Sequence, residues 1–234
     1  MKTKIHAVIV AAGKGIRMSD AVRKQYIALD GIPILTRTLI IFNRCDLIDR
    51  IIVAVPKEDI DFCRNEIIPP AYMEKEVSLV IGGAHRQDSV YNSLNTIETD
   101  DGIVLIHDAV RPFVKREHLV DCIKEARKHG ACILGIPTFD TVKHVNAKSE
   151  IIETWKRDIL WLAQTPQAFK VKLIKKAHEN AKQEGFIGTD DASLVERLGR
   201  VVKIIPGSRS NIKITNQEDL KLAQALLQTS ASEL

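Results

Sequence analysis

The sequence predicts an α/β fold: a mostly parallel sheet with helices on both faces, plus a protruding β-arm. Three observations carry this. Apolar, β-branched runs alternate with amphipathic stretches through the first 137 residues. Glycine-bearing loops follow two of the apolar runs. After Pro137 the rhythm breaks into short alternating pieces, too close together to hold a crossover helix. Alternation of the first kind implies βαβ units, and such sheets bind ligands at the carboxyl ends of their strands.

In chain order, strands are expected at residues 5–11, 50–55, 77–81, 103–107 and 131–137, with helices between them at 33–42, 57–67, 86–97 and 116–129. Residues 138–162, carrying alternating pieces at 141–145 and 151–155, are expected to form a β-hairpin arm. An apolar arm covers something, and a second copy of the same chain is the simplest partner. Helices are expected again at 171–184 and 191–198, a strand at 201–205, and a last helix at 217–228. No linker, repeat or low-complexity tract appears, so residues 1–234 are expected to form one domain, with 138–162 as a dimerisation arm.

Composition bounds the function. The 234 residues are 45% hydrophobic and 27% charged, which excludes fibrous and disordered classes. The apolar run at 5–12 is far shorter than the roughly 20 residues a membrane span requires, and the run at 32–42 is interrupted by Thr36, Arg37 and Thr38. Met1-Lys2-Thr3-Lys4 leads into a first strand without a small-residue cleavage site, so no secretory signal is read and a cytoplasmic location is expected. Cys45, Cys63, Cys122 and Cys132 form no C-x-x-C pair and are expected to be buried free thiols. The net charge of +4 is spread among interleaved acids and bases, which argues against nucleic-acid binding and leaves room for a local anion site.

The first strand ends in Ala11-Ala12-Gly13-Lys14-Gly15-Ile16-Arg17-Met18. Small residues after a strand let backbone N–H groups cradle phosphates, and Lys14 and Arg17 add charge. Neither common phosphate fingerprint is present: Gly13-Lys14 is not followed by Ser or Thr, and Met18 stands where a dinucleotide loop needs a small residue. Arg23-Lys24-Gln25-Tyr26 adds cations close by. The strand at 103–107 runs into Asp108-Ala109-Val110-Arg111-Pro112, putting a carboxylate at a strand end, where it can serve Mg²⁺ or cap the helix that starts near Lys115. Replacing Asp108 by Asn is expected to cost activity with little change in melting temperature.

Gly82-Gly83-Ala84-His85-Arg86-Gln87-Asp88-Ser89 ends another strand with glycines. Thr165-Pro166-Gln167 and Thr189-Asp190-Asp191-Ala192-Ser193 offer hydroxyls, with helix capping as the plain reading for Thr189 or Asp190. Asn211-Ile212-Lys213-Ile214-Thr215 reads as a strand placing Asn211 and Lys213 on one face. The seven histidines show no ligand spacing, and no G-x-S-x-G occurs, so zinc and acyl-transfer chemistry fall away. Phosphate chemistry with a hard cation remains.

In this order, the motifs Ala11-Ala12-Gly13-x-Gly15-x-Arg17-Met18, Lys24-Gln25-Tyr26, Gly82-Gly83-x-x-Arg86-x-Asp88-Ser89, His107-Asp108-Ala109-x-Arg111-Pro112, Asp140-Thr141, Thr165-Pro166-Gln167, Thr189-Asp190-x-Ala192-Ser193 and Asn211-Ile212-Lys213 resemble the 2-C-methyl-D-erythritol 4-phosphate cytidylyltransferase family. The resemblance spans residues 4–227 and implies a Rossmann-like sheet of the nucleotidyltransferase or glycosyltransferase-A type. It implies CTP binding by Ala11, Ala12, Gly13, Lys14, Gly15, Gly83, Ala84, Arg86, Ser89 and Ala109, and catalytic charge from Arg17, Lys24 and Lys213. It implies Mg²⁺ on Asp108, and acceptor binding by Asp108, Arg111, Thr141, Arg157, Thr165, Thr189 and Lys213. It also implies a homodimer by arm exchange, in which Thr141 and Arg157 reach the neighbour's site.

The reaction implied is attack of a polyol phosphate oxygen on the α-phosphorus of CTP with loss of pyrophosphate, giving 4-diphosphocytidyl-2-C-methyl-D-erythritol for non-mevalonate isoprenoid synthesis. Ribitol 5-phosphate is the alternative acceptor, disfavoured by Ala11-Ala12-Gly13 in place of Ala-Gly-Gly; a catalytically silent nucleotide-binding regulator is the alternative of another class. Two positions depart from many relatives, which carry acidic residues where this chain has Ala84 and Ser210.

Overall fold

The computed structural model describes residues 3–13 and 23–231. Among them, seven strands form one sheet in the order β11-β7-β10-β6-β1-β4-β5. Strand β1 (Ile5–Val10) lies inside it, parallel to its neighbours β4 (Arg50–Val55) and β6 (Ile103–Asp108). β5 (Glu76–Ile81) extends the sheet in parallel beside β4, and β11 (Lys203–Pro206) lies parallel to β7 (Ala131–Pro137). Between β6 and β7 runs β10 (Trp161–Lys170), antiparallel to both. This is the mostly parallel, helix-covered sheet that the alternation predicts, with one reversed strand.

Side chains on β1 alternate between faces, as a two-residue period demands. Ile5, Ala7 and Ile9 pack with Leu35, Leu39 and Phe42 of α1 (Ile34–Asn43) and with Leu119 and Ile123 of α4 (Arg116–His129). Val8 faces the other way, onto Val90 and Leu94 of α3 (Arg86–Leu94), Ile174 of α5 (Val171–Gln183) and Leu194 of α6 (Asp191–Arg197). A third, smaller cluster joins Leu29, Ile34, Val110, Ile214 and Ala223, seating α7 (Gln217–Ala231) beside the strand-end loop after β6.

Several local expectations need correction. Residues 57–67 do not make one helix: a tight turn at Lys57–Asp59, α2 (Ile60–Phe62) and a wide π-type turn at Cys63–Ile67 succeed one another. Pro69 and Pro70 follow and withhold two N–H donors, so the Ile67 carbonyl takes the Thr36 hydroxyl at 2.8 Å instead. A hairpin, β2 (Ala28–Leu29) with β3 (Ile32–Pro33), is also added. Its turn residues Asp30 and Gly31 both have positive φ, 51° and 74°, the geometry a two-residue hairpin requires.

β10 is the largest omission from the sequence reading, because Pro166 and the polar run Gln164, Thr165 and Gln167 argue against a central strand. The pairing with β7 shifts between Ala163 and Gln167, so the irregularity absorbs the proline. Trp161 and Leu162 pair with Pro137 and Ile136, so they belong to this sheet and not to the arm. The hairpin itself, β8 (Lys143–Val145) with β9 (Ile151–Thr154), stands off as its own two-stranded sheet. Residues 211–215 form no strand; they are a loop, although Asn211 and Lys213 still turn toward the same region.

Candidate active site

Three strand ends meet at the carboxyl edge of the sheet. Ala11 and Gly13 follow β1, Gly82 and Gly83 follow β5, and Asp108 closes β6. The two glycines are needed for close approach: a Cβ on Gly82 would sit 2.2 Å from that of Ala12, and one on Gly83 2.2 Å from that of Asp88. Gly83 N–H donates to Ser89 Oγ at 3.0 Å, and the Asp88 carboxylate accepts from the His85 N–H at 3.0 Å, closing the first turn of α3. The N-terminus of α3 therefore faces the same space as the loop after β1, with its partial positive charge.

That space is a pocket of about 230 Å³. It brings together Ala11, Ala12, Gly13, Lys24, Gly83, Ala84, Arg86, Ser89, Asp108, Ala109 and Lys213, all of them named from the sequence. Lys14, Gly15 and Arg17 lie outside the described residues. Arg111 and Thr165 stand behind Asp108 and do not line the pocket, while Thr141, Arg157 and Thr189 are exposed and lie apart from it. Arg157 donates to the Phe139 carbonyl at 2.8 Å within the arm. Ser210 is turned onto Ser208, 2.7 Å between hydroxyls, whereas Ala84 lines the pocket.

Asp108 is the electrostatic centre. Arg86 Nε donates to its Oδ1 at 2.9 Å, Lys213 Nζ lies 2.7 Å from Oδ2, and Arg111 Nε is 3.8 Å away. Burial alone would push this carboxyl up, but the charges of Arg86, Lys213 and Arg111 outweigh it and hold it well below the usual carboxylate range. Arg86 in turn reaches Asp191 with Nη1 at 2.6 Å, and Asp191 bonds to the buried His178 at 3.1 Å. Burial disfavours the Arg86 cation, yet the two carboxylates raise its pKa, so it is permanently charged. Capping, the plain reading of Asp108, does not apply, since Lys115 occupies the N-cap of α4. Asp190 does cap α6, accepting from Ser193 N–H at 2.9 Å.

Behind Asp108 lies a bonded chain that the sequence reading missed. Asp108 N–H donates to Thr165 Oγ1 at 3.1 Å, Thr165 meets His107 Nδ1 at 3.0 Å, and His107 Nε2 meets the Arg111 carbonyl at 3.1 Å. A carbonyl only accepts, so the imidazole carries its proton on Nε2 and Thr165 donates to Nδ1. Asn211 donates to the Thr165 carbonyl at 2.9 Å, and Arg111 Nη1 to the Asn211 carbonyl at 2.7 Å, closing the ring around the strand end. No local pattern marks either pair: His178 of α5 meets Asp191 of α6, and His107 of β6 meets Thr165 of β10, only through the topology.

Burial pushes the His107 pKa down to about 4 from 6.5. The unfolded chain therefore takes up a proton between these values that the fold refuses, and stability falls as pH drops through that window. The loss amounts to about 3 kcal/mol for His107 by pH 4. His6 and His118 are lowered too and add in the same direction. Urea midpoints at pH 7, 5.5 and 4 should fall more steeply for the parent chain than for His107→Gln; equal slopes would count against this account.

Among the described residues no group of three or more His, Cys, Asp or Glu side chains could hold an ion. Asp108 is one ionised carboxylate surrounded by cations, and Asp191 is sealed behind Arg86. With at most one protein carboxylate to offer, an ion here would have to draw most of its ligands from substrate phosphates and water, as Mg²⁺ can.

Comparison with known proteins follows the same line. The family model described as 2-C-methyl-D-erythritol 4-phosphate cytidylyltransferase matches residues 5–229. A protein of that name from Syntrophus aciditrophicus is 46% identical over 227 residues, covering 97% of both chains. One from Geobacter metallireducens is 47% identical over 226 residues, covering 95% of this chain and 97% of its own. The crystal structure of 4-diphosphocytidyl-2C-methyl-D-erythritol synthase from Anaerococcus prevotii superposes with a TM-score of 0.86 at 36% identity, covering 97% of this chain and 96% of that one. The cytidylyltransferase structure from Francisella tularensis gives 0.81 at 34% identity, covering 94% and 98%. With the family model matched from the first strand to the last helix, the chain belongs to the 2-C-methyl-D-erythritol 4-phosphate cytidylyltransferase family.

Proposed function

We propose that this protein joins CTP to 2-C-methyl-D-erythritol 4-phosphate, releasing pyrophosphate and 4-diphosphocytidyl-2-C-methyl-D-erythritol, a step of isoprenoid precursor synthesis by the non-mevalonate route. The observation that carries the reading is the convergence of Lys24, Lys213 and Arg86 on a pocket walled by two small-residue strand-end loops. The acceptor's phosphate oxygen forms a bond to the α-phosphorus as the bond to the leaving pyrophosphate breaks. This nucleophile is an anion at neutral pH, so no general base is needed and the barrier is the approach of two anions. Positioning and cationic charge at fixed points lower that barrier.

The loops at residues 11–13 and 83–89, with Ala109, hold the nucleotide; Lys24 and Lys213, joined by Arg17, neutralise the charge that develops. Asp108 arranges Lys213, Arg86 and Arg111, and Thr165 serves the acceptor side by fixing the Asp108 backbone. A bound Mg²⁺ would take Asp108 as its protein carboxylate and supply further neutralisation of the triphosphate. Among the described residues no helix is long and apolar enough to cross a membrane. All four cysteines are free, which suits a reducing cytoplasm. The decisive measurement is pyrophosphate release with CTP, Mg²⁺ and each of two acceptors: methylerythritol phosphate should far outpace ribitol 5-phosphate, and CTP should outpace ATP and GTP. Comparable turnover with a purine nucleotide would sink the cytidylyl assignment.

The arm extends this reading to a homodimer. Phe139, Ile151, Ile152, Trp155 and Ile159 are all exposed on it, Ile159 at 78%, a density of apolar side chains that calls for a cover. Thr141 and Arg157 ride on the same arm and do not line this chain's pocket, which supports a role for them in the acceptor site of a second copy. Chains carrying Lys24→Ala and chains carrying Arg157→Ala would each be nearly inactive. A mixed dimer would hold one site with both defects and one with neither. Refolding them together should recover roughly a quarter of parent activity, since about half the dimers are mixed and each has one sound site. No recovery in a preparation shown to have exchanged subunits would rule out the shared site.

A further inference from the structure

We infer that Gln25 is a positioning residue for the transfer: its side-chain amide ties the turn bearing Lys24 to the loop of residues 11–13. The inference rests on the proposed function. Gln25 is 1% exposed, yet it borders a pocket lined by Lys24, Arg86, Asp108 and Lys213. Its Nε2 donates to the Ala11 carbonyl at 2.7 Å and to the Gly13 carbonyl at 3.2 Å. Ala11 is itself bonded through its N–H to the Ala54 carbonyl of β4 at 2.8 Å, so the amide anchors the turn to the sheet.

On the other side, the Lys24–Tyr26 turn is short and closed by two backbone bonds, Tyr26 N–H to the Arg23 carbonyl and Ile27 N–H to the Lys24 carbonyl. The neighbouring Tyr26 hydroxyl donates to Asp59 at 2.9 Å, and Arg23 Nε reaches the same carboxylate at 2.9 Å. Those outer contacts hold the turn to the Lys57–Asp59 segment, while Gln25 bonds inward to the loop that cradles the nucleotide, next to Lys24 in the pocket wall. A neutral donor suits this place. It satisfies two carbonyl oxygens beside the pocket without adding charge, and losing it leaves those acceptors unpaired and the turn free to shift. A shift on the order of 1 Å in a group that must meet the reacting phosphate is enough to cost about 10² in rate.

The test is a double-mutant cycle with Lys24. Gln25→Met keeps the length of the side chain and removes both donated bonds. It should lower kcat by on the order of 10 to 10², with KM for CTP changed less than about threefold. On the Lys24→Ala background the same change should cost less than about threefold, because the group it positions is gone. A purely structural glutamine would lower both backgrounds by the same factor, and that result would overturn the inference, as would a parent-like kcat or a defect confined to KM. If Gln25→Met does not fold, Gln25→Asn, which keeps the amide but cannot span both carbonyls, is read by the same criteria. Absence of pyrophosphate release from the parent enzyme would overturn the proposed function, and the positioning role with it.

Discussion

Lys24→Ala is expected to lower kcat by 10² to 10³, with a much smaller change in CTP affinity. Lys24 lines the same pocket as Asp108 and the loop after β1, where the charge of a triphosphate must lie. An ammonium whose contact strengthens as negative charge builds contributes to the transition state more than to the bound substrate. Removing one such fixed donor costs about 2.7 to 4 kcal/mol, which corresponds to the stated range. Steady-state kinetics with pyrophosphate detection separates the cases. An unchanged kcat with a raised KM would make Lys24 a binding residue only.

The second large effect is at Asp108. Asp108→Asn should abolish most activity and also lower stability, contrary to the expectation from sequence that melting would barely change. The reason is the surrounding charge: Arg86, Lys213 and Arg111 all face this carboxylate. Breaking a buried pair by removing one partner costs about 3 to 5 kcal/mol. The lower end is expected here, because the Lys213 side chain is 40% exposed and can relax into water, while Arg86 keeps Asp191. If Asp108 also holds Mg²⁺, the residual activity of the variant should require a higher Mg²⁺ concentration for half-saturation than the parent does. Calorimetry and a Mg²⁺ titration of rate test the two parts; a variant with parent-like melting and an unshifted Mg²⁺ requirement would contradict both.

What could be read from the residues alone divides along physical lines. Strands β1, β4, β6 and β7 were legible to within a residue or two, since buried parallel strands are continuous apolar runs bounded by loops. β10 was not, because a proline and three polar side chains sit in a central strand whose hydrogen bonds serve the site as much as the sheet. The small-residue loops and Asp108 were found because strand ends in such sheets are where ligands bind. The second carboxylate, Asp191, was noticed only within a capping motif: its tie to Arg86 joins residues 105 positions apart, and no local pattern encodes that distance. The Asp30-Gly31 turn, by contrast, carried a plain signal and went unused.

The reversed strand also sets the order in which the molecule can be made. β6 and β7 follow one another in the chain but are never neighbours, because β10 fills the gap between them. A ribosome that has released the first 137 residues has delivered β5, β4, β1 and β6, which can associate at once, and β7, which has nowhere to dock. Only when residues 161–170 emerge does the sheet extend past β6, and only then does the Asp108 amide meet Thr165. Lys213 arrives later still. Until those last parts appear, Asp108 lacks Lys213 and its backbone anchor, and α3 lacks the α5 and α6 side chains it packs on, so the site is completed only by the final third of the chain.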